Sequence, residues 1–431
     1  MTPEYPQAWK SLPGPEDITR VELPNGITVL SRLNPDSAAV VMTGYLDAGA
    51  CLDEDRRLGL AHFTAAALTR GTEQRTFQQI YDELESVGAS LGFGASVHNT
   101  GFGGRCLVED LPVLLGLFSE MLRAPSYPED QVERLRDQMI ASLAIRAQDT
   151  WDMASLAFDE IVFAGHPYAR PDDGYPETIQ AITVDDLRSF QRRYFGPRGM
   201  VVVIVGGIAA GEAVERVQQA IGDWENPQQV IAATFPPPSP LKEGVRRHIT
   251  LAGKRQTDLL MGSLAPKRCS PDYLAASIGN NIFGQFGMMG RIGEVVREQA
   301  GLAYHASASL NAMLSGGSWE ISAGVNPANL QRAVDLIRHE IARFTAEPVT
   351  EQELEDTQNN YIGRLPLALE SNNGVATALL NLERFQLGLD YYHRLPGMIR
   401  SITAGQVLEV ACSYLHPQRL AVVSAGPELT G

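Results

Sequence analysis

The strongest constraint on the fold of this chain is an internal repeat. Residues 181–206 and 401–426 align without a gap. The aligned positions pair Ile182 with Ile402, Thr183 with Thr403, Tyr194 with Tyr414, Pro197 with Pro417, and Gly206 with Gly426. Each copy starts with a threonine suited to cap a helix, continues as a helix of about three turns, and ends in a proline turn and a short apolar strand. A repeat of this kind predicts two tandem copies of one domain.

A second, looser parallel lies upstream of each copy. Residues 111–122 and 330–341 both have the pattern of an amphipathic helix. The proline-rich stretch 235–244 between the copies cannot form a helix or a central strand. A chain of 431 residues also exceeds the roughly 250–300 residues at which single cores stop growing. We therefore predict an N-terminal domain, residues 1–235, and a homologous C-terminal domain, residues 236–431.

The first half has the pattern of an α+β domain. Pro24, Asn25 and Gly26 form a turn signature in which Asn-Gly supplies positive φ angles between two strands. Strand patterns cover residues 18–23, 27–32, 39–46, 89–97 and 101–107. Helical patterns alternate with the later strands, and the second half repeats the arrangement from Val245 onward. Each domain is predicted to be a mostly antiparallel sheet with helices packed on one face.

Charge limits the partners open to this protein. The formal net charge is −16, and the sequence has no run of Lys or Arg. Nucleic acid and anionic membranes both attract basic patches, so neither is an expected partner. A basic or neutral polypeptide partner fits this composition better.

The cysteines and the N-terminal sequence bear on location. Cys51, Cys106, Cys269 and Cys412 are far apart and form no Cys-x-x-Cys pair, so we expect four buried thiols in a reducing compartment. The start of the sequence lacks a charged head followed by an apolar run, and no stretch approaches the roughly 18 apolar residues of a membrane span. The expected location is the cytoplasm.

Residues 58–72, LGLAHFTAAALTRGT, carry the first family signature. They resemble the insulinase, pitrilysin and mitochondrial-processing-peptidase family, whose members have G-x-A-H-F-x-E-H-x-x-x-x-G-T here, with an inverted zinc motif His-x-x-Glu-His. The identical positions are Gly59, Ala61, His62, Phe63, Gly71 and Thr72. In such a motif the two histidines and the glutamate share one helical face, so that they hold Zn²⁺ and activate water.

The resemblance also implies what this chain has lost. The helical face presents His62, Ala65 and Ala66 in place of two ligands and a general base, and the glutamate that is the family's third ligand falls at Leu143. A catalytic zinc needs three protein ligands and a water, so we expect no zinc on this chain. His62 is expected to be a packed or hydrogen-bonded remnant. The other histidines form no ligand pair: His98, His166, His248, His305, His339, His393 and His416.

A second signature lies in the other half of the sequence. Gly284, Gly287 and Gly290 are followed by Arg297 and by Gly-Leu-Ala-Tyr ending at Tyr304. This order resembles the non-zinc subunits of the same family. The resemblance implies that Arg297 holds a substrate carbonyl and that the Tyr304 hydroxyl donates to the oxyanion formed at a zinc site on another chain. The glycines do not indicate a phosphate loop, because no Lys-Ser/Thr follows them.

The predicted function is that of a substrate-binding, transition-state-stabilising subunit of a heterodimeric zinc-dependent peptidase, inactive alone. Its partner would be a homologous chain with an intact His-x-x-Glu-His and the zinc. One alternative is a catalytically inert structural or peptide-binding homologue, which a homodimer would favour. A second is an autonomous zinc peptidase, which requires near-stoichiometric zinc. Residues 89–97 are either a plain strand or a retained peptide-binding edge.

Overall fold

The computed structural model describes residues 12–231 and 234–429, which form two compact units. The described parts of the first unit are residues 12–143, 171–231 and 365–394. Those of the second are residues 144–170, 234–364 and 395–429. Each unit contains one β-sheet and several helices, so the predicted α+β class is confirmed.

The strands and helices alternate along the sequence. The strands are β1 (Thr19–Glu22), β2 (Thr28–Leu33), β3 (Ala39–Leu46), β4 (Ser90–Ala95), β5 (Thr100–Leu107), β6 (Val201–Gly206), β7 (Val245–Thr250), β8 (Thr257–Ala265), β9 (Ala303–Ala312), β10 (Gly317–Val325) and β11 (Ala421–Gly426). The helices are α1 (Leu60–Ala67), α2 (Phe77–Ser86), α3 (Leu111–Arg123), α4 (Glu129–Arg146), α5 (Thr150–Val162), α6 (Pro176–Ala181), α7 (Val184–Tyr194), α8 (Ala210–Ile221), α9 (Tyr273–Gly284), α10 (Phe286–Ile292), α11 (Leu330–Phe344), α12 (Glu351–Ala368), α13 (Asn372–Arg384), α14 (Tyr391–Arg400) and α15 (Ala404–Tyr414). None of the helices in the described ranges is long and apolar enough to cross a lipid bilayer.

The two sheets share one strand order, apart from β1, which the first sheet adds at its edge. The first sheet runs β1-β2-β6-β3-β5-β4, and the second runs β7-β11-β8-β10-β9. Only the β2–β6 pair in the first sheet and the β7–β11 pair in the second are parallel among the described strand pairs. The prediction of mostly antiparallel sheets is therefore confirmed, and the last strand of each repeat, β6 or β11, lies inside its sheet.

The aligned threonines cap equivalent helices. The Thr183 hydroxyl accepts a hydrogen bond from the Asp186 N–H at 3.2 Å, and the Asp186 carboxylate accepts one from the Thr183 N–H at 2.9 Å. Thr403 and Gln406 form the same reciprocal pair, also at 3.2 and 2.9 Å. Each box satisfies N–H groups that the first turn of α7 or α15 would otherwise leave unpaired. The helix starts predicted from the repeat are thus confirmed.

The hairpin between β1 and β2 is present with one correction to its turn. Thr19 pairs with Ser31 and Glu22 with Thr28, as an antiparallel ladder requires. Gly26 has a φ of 93°, but Asn25 does not adopt a positive φ. The Asn25 amide instead donates to the Ile221 carbonyl at 2.9 Å, which ties the turn to the end of α8.

Each unit takes one helix from the other half of the sequence. Helix α5, from the first half, packs against β8 and β11, while α13, from the second half, packs against β3 and β6. The compact units therefore differ in extent from the predicted domains, residues 1–235 and 236–431. One of the points where the chain changes from one unit to the other, near residue 234, lies close to the predicted boundary. Amphipathicity predicts that a helix will bury one face, but it does not identify the sheet that receives it.

The main core of the first unit lies on one face of its sheet, and α13 covers part of the other face, so the prediction of helices on one face holds only in part for this unit. Helices α1, α3, α7 and α8 contribute to this core together with β3, β5 and β6. Phe93 of β4, Phe102 of β5 and Phe118 of α3 form an aromatic cluster there, with centroid separations of 4.6 to 6.4 Å. Side chains alternate along strands, so the neighbours of Phe93 and Phe102 in sequence point to the opposite face.

The cysteines differ in part from the expectation. Cys51 and Cys106 are buried free thiols, whereas Cys269 and Cys412 are exposed. The Cys412 thiol donates to the Thr345 carbonyl at 2.9 Å. The prediction of four buried thiols is wrong for these two residues, because a cysteine's sequence context does not reveal which face of a loop or helix it occupies.

Candidate functional site

Helix α1 carries the incomplete zinc motif and is fixed at its N-terminus. The Asp53 carboxylate accepts hydrogen bonds from the Gly59 N–H at 2.9 Å and the Ala61 N–H at 3.0 Å, which satisfies two free helix N–H groups. Gly59 has a φ of 90°, and a Cβ there would lie 2.8 Å from the Asp173 carbonyl. The N-terminus of α1 is therefore capped by Asp53, and it needs the glycine that the signature places at position 59.

The metal-binding face itself is missing its donors. Ala65 and Leu143 are buried in the first unit, and the partly buried His62 is the one imidazole on this face. Methyl and isobutyl groups supply no lone pair, so these residues do not fit a catalytic zinc. Within residues 12–231 and 234–429, no group of three or more His, Cys, Asp or Glu side chains is arranged to hold a metal ion.

An acidic residue that the sequence did not single out lies near His62. Burial raises the pKa of the Asp172 carboxyl, the Asp173 charge raises it further, and His62 opposes both effects. About 110 residues separate Asp172 from His62 in sequence, and no spacing rule links them. The surviving imidazole thus has a carboxyl neighbour within electrostatic reach.

The predicted glycine segment joins α9, α10 and β9 in the second unit. A Cβ at Gly284 would lie 2.2 Å from the Ala308 backbone nitrogen, so the end of α9 approaches β9 too closely for any side chain. Gly290 has a φ of 62°, and its Cβ would lie 2.6 Å from the Gly284 nitrogen. Gly287 has a φ of 59° but open space around it. Gly284 and Gly290 therefore serve close packing, and Gly287 serves backbone conformation.

Arg297 and Tyr304, seven residues apart in sequence, lie together in the structure. Gly301, with a φ of 63°, turns the backbone between them, and its N–H donates to the Arg297 carbonyl at 3.0 Å. The guanidinium carbon of Arg297 lies 5.8 Å from the centre of the Tyr304 ring. Tyr304 is 86% exposed at the start of β9, an edge strand. Its hydroxyl forms no hydrogen bond with any residue in the described ranges, so it is free to donate to a ligand.

The helical segment that follows Gly284 is divided into two parts. Helix α10 ends at Ile292, and Gly293–Gln299 continues as a π-helix that carries Arg297. Such segments are rare and often occur at functional sites. The Arg291 guanidinium joins this region to α12, because its Nε and Nη2 each donate to the Glu353 carboxylate at 2.7 Å.

An open cavity of about 410 Å³ lies beside the π-helical segment. Its charged lining residues are Arg291, Glu294, Glu298, Glu353 and Asp356. Arg291 is paired with Glu353, and Arg297 approaches Glu298 at 3.3 Å. The cavity is therefore acidic, and Arg297 contacts one of its lining carboxylates without lining the cavity itself.

Glu353 makes the stability of this region depend on pH. Burial raises the pKa of Glu353, but hydrogen bonds from Arg291 and from the Thr350 N–H and hydroxyl outweigh burial and hold the pKa at about 2. A carboxyl whose pKa falls on folding stabilises the protein above its unfolded pKa, and this contribution is lost as pH drops toward 2. With solvent screening of a side chain that is 31% exposed, we expect about 2 kcal/mol.

The Glu353→Gln variant is therefore expected to unfold more easily at neutral pH and to show a shallower loss of stability between about pH 4.5 and 2. Urea denaturation at several pH values measures both effects. The matched control is Glu355→Gln, at an exposed glutamate of the same helix. Parallel pH profiles for the parent and Glu353→Gln would contradict the assignment.

The repeated α+β units, the incomplete ligand face and the Arg297–Tyr304 pair are features of a two-domain peptidase-like protein. Two family models match the sequence. Residues 28–171 match the model described as insulinase, peptidase family M16, and residues 181–361 match the one described as peptidase M16 inactive domain. Together the matches span most of the sequence. The chain belongs to the insulinase family of peptidases, M16, as its sequence signatures predicted.

Individual relatives agree with this assignment. An uncharacterized zinc protease of Mycobacterium leprae is 27% identical over 422 residues, 95% of this chain and 92% of the relative. The mitochondrial-processing peptidase subunit beta of Saccharomyces cerevisiae is 25% identical over 371 residues, 82% of this chain and 79% of that protein. The crystal structure of a peptidase M16 inactive domain from Pseudomonas fluorescens has a TM-score of 0.89 at 25% identity, and the match covers 96% of this chain and 98% of that one.

Proposed function

We propose that this chain is the non-zinc, substrate-binding and transition-state-stabilising subunit of a heterodimeric zinc-dependent peptidase. The observation that carries the proposal is the exposed Tyr304 phenol beside the Arg297 guanidinium. An aromatic side chain that is 86% exposed contributes little to a core, so packing does not account for it. Its free hydroxyl and the neighbouring cation form a pair of donors for a carbonyl or an oxyanion.

Such a pair needs a nucleophile from elsewhere. Removing one preorganised oxyanion donor typically costs about 10²–10³ in rate, so such donors matter, but they generate no nucleophilic water themselves. The face around His62 lacks the ligands that would hold a zinc and its water. A partner with an intact His-x-x-Glu-His would supply that part of the site. Heterodimer formation is thus part of the proposal.

The second candidate is a catalytically inert structural or peptide-binding homologue. Ala65 and Ala66 favour it as much as they favour the proposed subunit, since neither role uses a metal on this chain. The exposed Tyr304 hydroxyl beside Arg297 favours the catalytic subunit, because an inert scaffold gains nothing from it. The candidates therefore differ in whether this pair affects a reaction rate.

The first experiment is complementation with a zinc-bearing relative. We expect the isolated protein to have no peptidase activity. Metal analysis should find substoichiometric zinc on it. Co-purification from the native source should identify a homologous chain with an intact motif, and mixing the two should create activity toward a quenched fluorescent peptide. A stable homodimer that yields no activity with any such relative would favour the inert homologue. Near-stoichiometric zinc on this chain alone would instead indicate an autonomous peptidase.

A further inference from the structure

The sheet of the first unit carries a ladder of glycines on one face. Strands β4 and β5 pair Gly92 with Gly103 and Gly94 with Gly101. Residues opposite each other in an antiparallel pair share a face, and Phe93 and Phe102 point to the other face, into the core. The glycine ladder consists of these four residues, Gly92, Gly94, Gly101 and Gly103. At these four positions the face carries no side chain.

The fold itself does not require glycine at these positions. None of the four has a positive φ, and the register of β5 with β4 and with β3 is continuous, so there is no bulge. A Cβ at Gly92 or Gly94 would have no atom within 4 Å, and at Gly101 or Gly103 it would meet its nearest neighbour at 3.7 or 4.0 Å. Glycine in a strand costs about 0.5–1 kcal/mol relative to alanine. The remaining reason for glycine in a strand is close approach by another molecule.

The glycine ladder forms the floor of an open groove of about 500 Å³. Helix α13 packs on β3 and β6, and its Leu380 and Arg384 line the groove together with Thr43 and Tyr45 of β3. Thr43 and Tyr45 are opposite Gly103 and Gly101, so they lie on the same face as the ladder. The helix that enters this unit from the second half of the sequence thus forms a wall beside bare backbone.

Two buried polar side chains line this groove with unused hydrogen-bonding atoms. Tyr45 is 9% exposed and Asn99 is 5% exposed. The Asn99 carbonyl oxygen accepts from the Ser96 hydroxyl at 3.0 Å, but its amide nitrogen and the Tyr45 hydroxyl have no hydrogen-bond partner in the described part of the protein. Neither atom is fully enclosed by protein, so both can donate to acceptors on a ligand in the groove.

The charge of the groove specifies that ligand further. Arg384 is its one charged lining residue within the described ranges, in a protein whose net charge is −16. The guanidinium carbon lies 6.0 Å from the centre of the Tyr45 ring. Asp47 interacts electrostatically with Arg384 but does not line the groove. A cation together with two neutral hydrogen-bonding groups is complementary to carboxylate and carbonyl oxygens.

We propose that this groove binds an extended polypeptide segment whose backbone lies on the glycine ladder and whose carboxylate meets Arg384, Tyr45 and Asn99. The carboxylate comes from either an acidic side chain or the C-terminus of the bound peptide. This contact uses the face of the sheet, so it differs from strand addition at the free edge of β4. The binding proposal rests on the proposed function, because both assume that the ligand is a peptide. It requires neither a zinc-bearing partner nor the Arg297–Tyr304 pair.

Direct binding to the full-length protein tests the proposal. Fluorescence anisotropy would compare three labelled forms of one peptide of about eight residues. One form has a free C-terminal carboxylate and no acidic side chain, one has a C-terminal amide and a single internal glutamate, and one has a C-terminal amide and no acid. We expect one or both carboxylate forms to bind about tenfold more tightly than the neutral form. Whichever of the two binds more tightly shows whether the groove recognises a C-terminal carboxylate or an acidic side chain.

Variants separate the floor of the groove from its charged wall. Gly92→Val and Gly94→Val place side chains in open space, so we expect melting temperatures equal to or higher than that of the parent and about tenfold weaker binding of the preferred form. Arg384→Met should abolish the difference between the carboxylate and neutral forms. The matched control is Gly116→Ala on α3, where a Cβ also meets nothing within 4 Å and where binding should not change.

Three results would overturn the proposal: equal binding of all three peptide forms by the parent, parental affinity in both glycine variants, or glycine variants that convert a dimer to a monomer in light scattering while peptide affinity stays the same. The last result would identify a second copy of this protein as the occupant. Failure of the mixed complex to cleave peptides would leave groove binding intact. Loss of groove binding would equally leave complementation by Arg297 and Tyr304 intact.

Discussion

In the mixed complex, Tyr304→Phe is expected to lower kcat by about 10²–10³-fold, with KM and assembly nearly unchanged. Phenylalanine keeps the ring that lies 5.8 Å from the Arg297 guanidinium carbon and removes only the free hydroxyl. An interaction made mainly in the transition state affects kcat, whereas one made equally with bound substrate affects KM. Steady-state kinetics on a quenched peptide, with light scattering to verify assembly, measures both.

Arg297→Ala is expected to lower kcat/KM by a similar factor, with part of the effect on KM, because this cation is assigned to a substrate carbonyl. The double variant Arg297→Ala/Tyr304→Phe should lose less than the product of the single losses, since the two groups act on one bound segment. Tyr81→Phe is the matched control, because it removes an exposed phenol hydroxyl on α2, outside the site. Parental rates in both single variants would show that the assigned roles are wrong.

Much of the architecture could be predicted from short-range patterns. The capping threonines Thr183 and Thr403, the Gly26 turn and the alternating strands each reflect physics within a few residues of sequence. These features predicted strands in both sheets and the starts of α7 and α15. The π-helical segment Gly293–Gln299 was outside such reach, because its form depends on contacts made by α10, α11 and β9.

Long-range placement was the part that sequence patterns left open. The sheet that α5 covers is set by close surface fits such as the one at Gly262, where a Cβ would lie 3.1 Å from Phe158, and no local sequence pattern encodes such a fit. The proximity of Asp172 to His62 likewise depends on long-range packing that no local sequence pattern predicts.

The glycine ladder had a detectable sequence signal. Gly92-Phe93-Gly94 and Gly101-Phe102-Gly103 alternate glycine with phenylalanine in two neighbouring strands. Alternation predicts one aromatic face and one bare face, and antiparallel pairing then brings the two bare faces together. Strand propensities score each glycine separately as a residue that weakens a strand. They therefore do not reveal that four glycines lie together on one face.

The second large effect is expected at Arg291. Arg291→Met should lower the free energy of unfolding by about 3 kcal/mol, because Glu353 loses both hydrogen bonds from Arg291 and the buried Glu340 loses one of its two neighbouring cations. Arg291 is 11% exposed, donates twice to Glu353, and lies 4.0 Å from Glu340, whose side chain is 2% exposed. Methionine retains most of the apolar volume, so the loss reports charge and hydrogen bonding. Urea denaturation near neutral pH measures it.

Arg343→Met provides the matched control, because Arg343 lies 2.9 Å from the same Glu340 but is 45% exposed and lies on α11. We expect that control to cost under about 1 kcal/mol. Hydrogen exchange should separate the two variants further. Of the two arginines, only Arg291 is hydrogen-bonded to Glu353 of α12. We therefore expect only its loss to speed exchange at the Gly301 and Leu302 amides, which close the turn between Arg297 and Tyr304. Equal losses of stability and unchanged exchange in Arg291→Met would mean that the Arg291–Glu353 pair does not hold the π-helical segment in place.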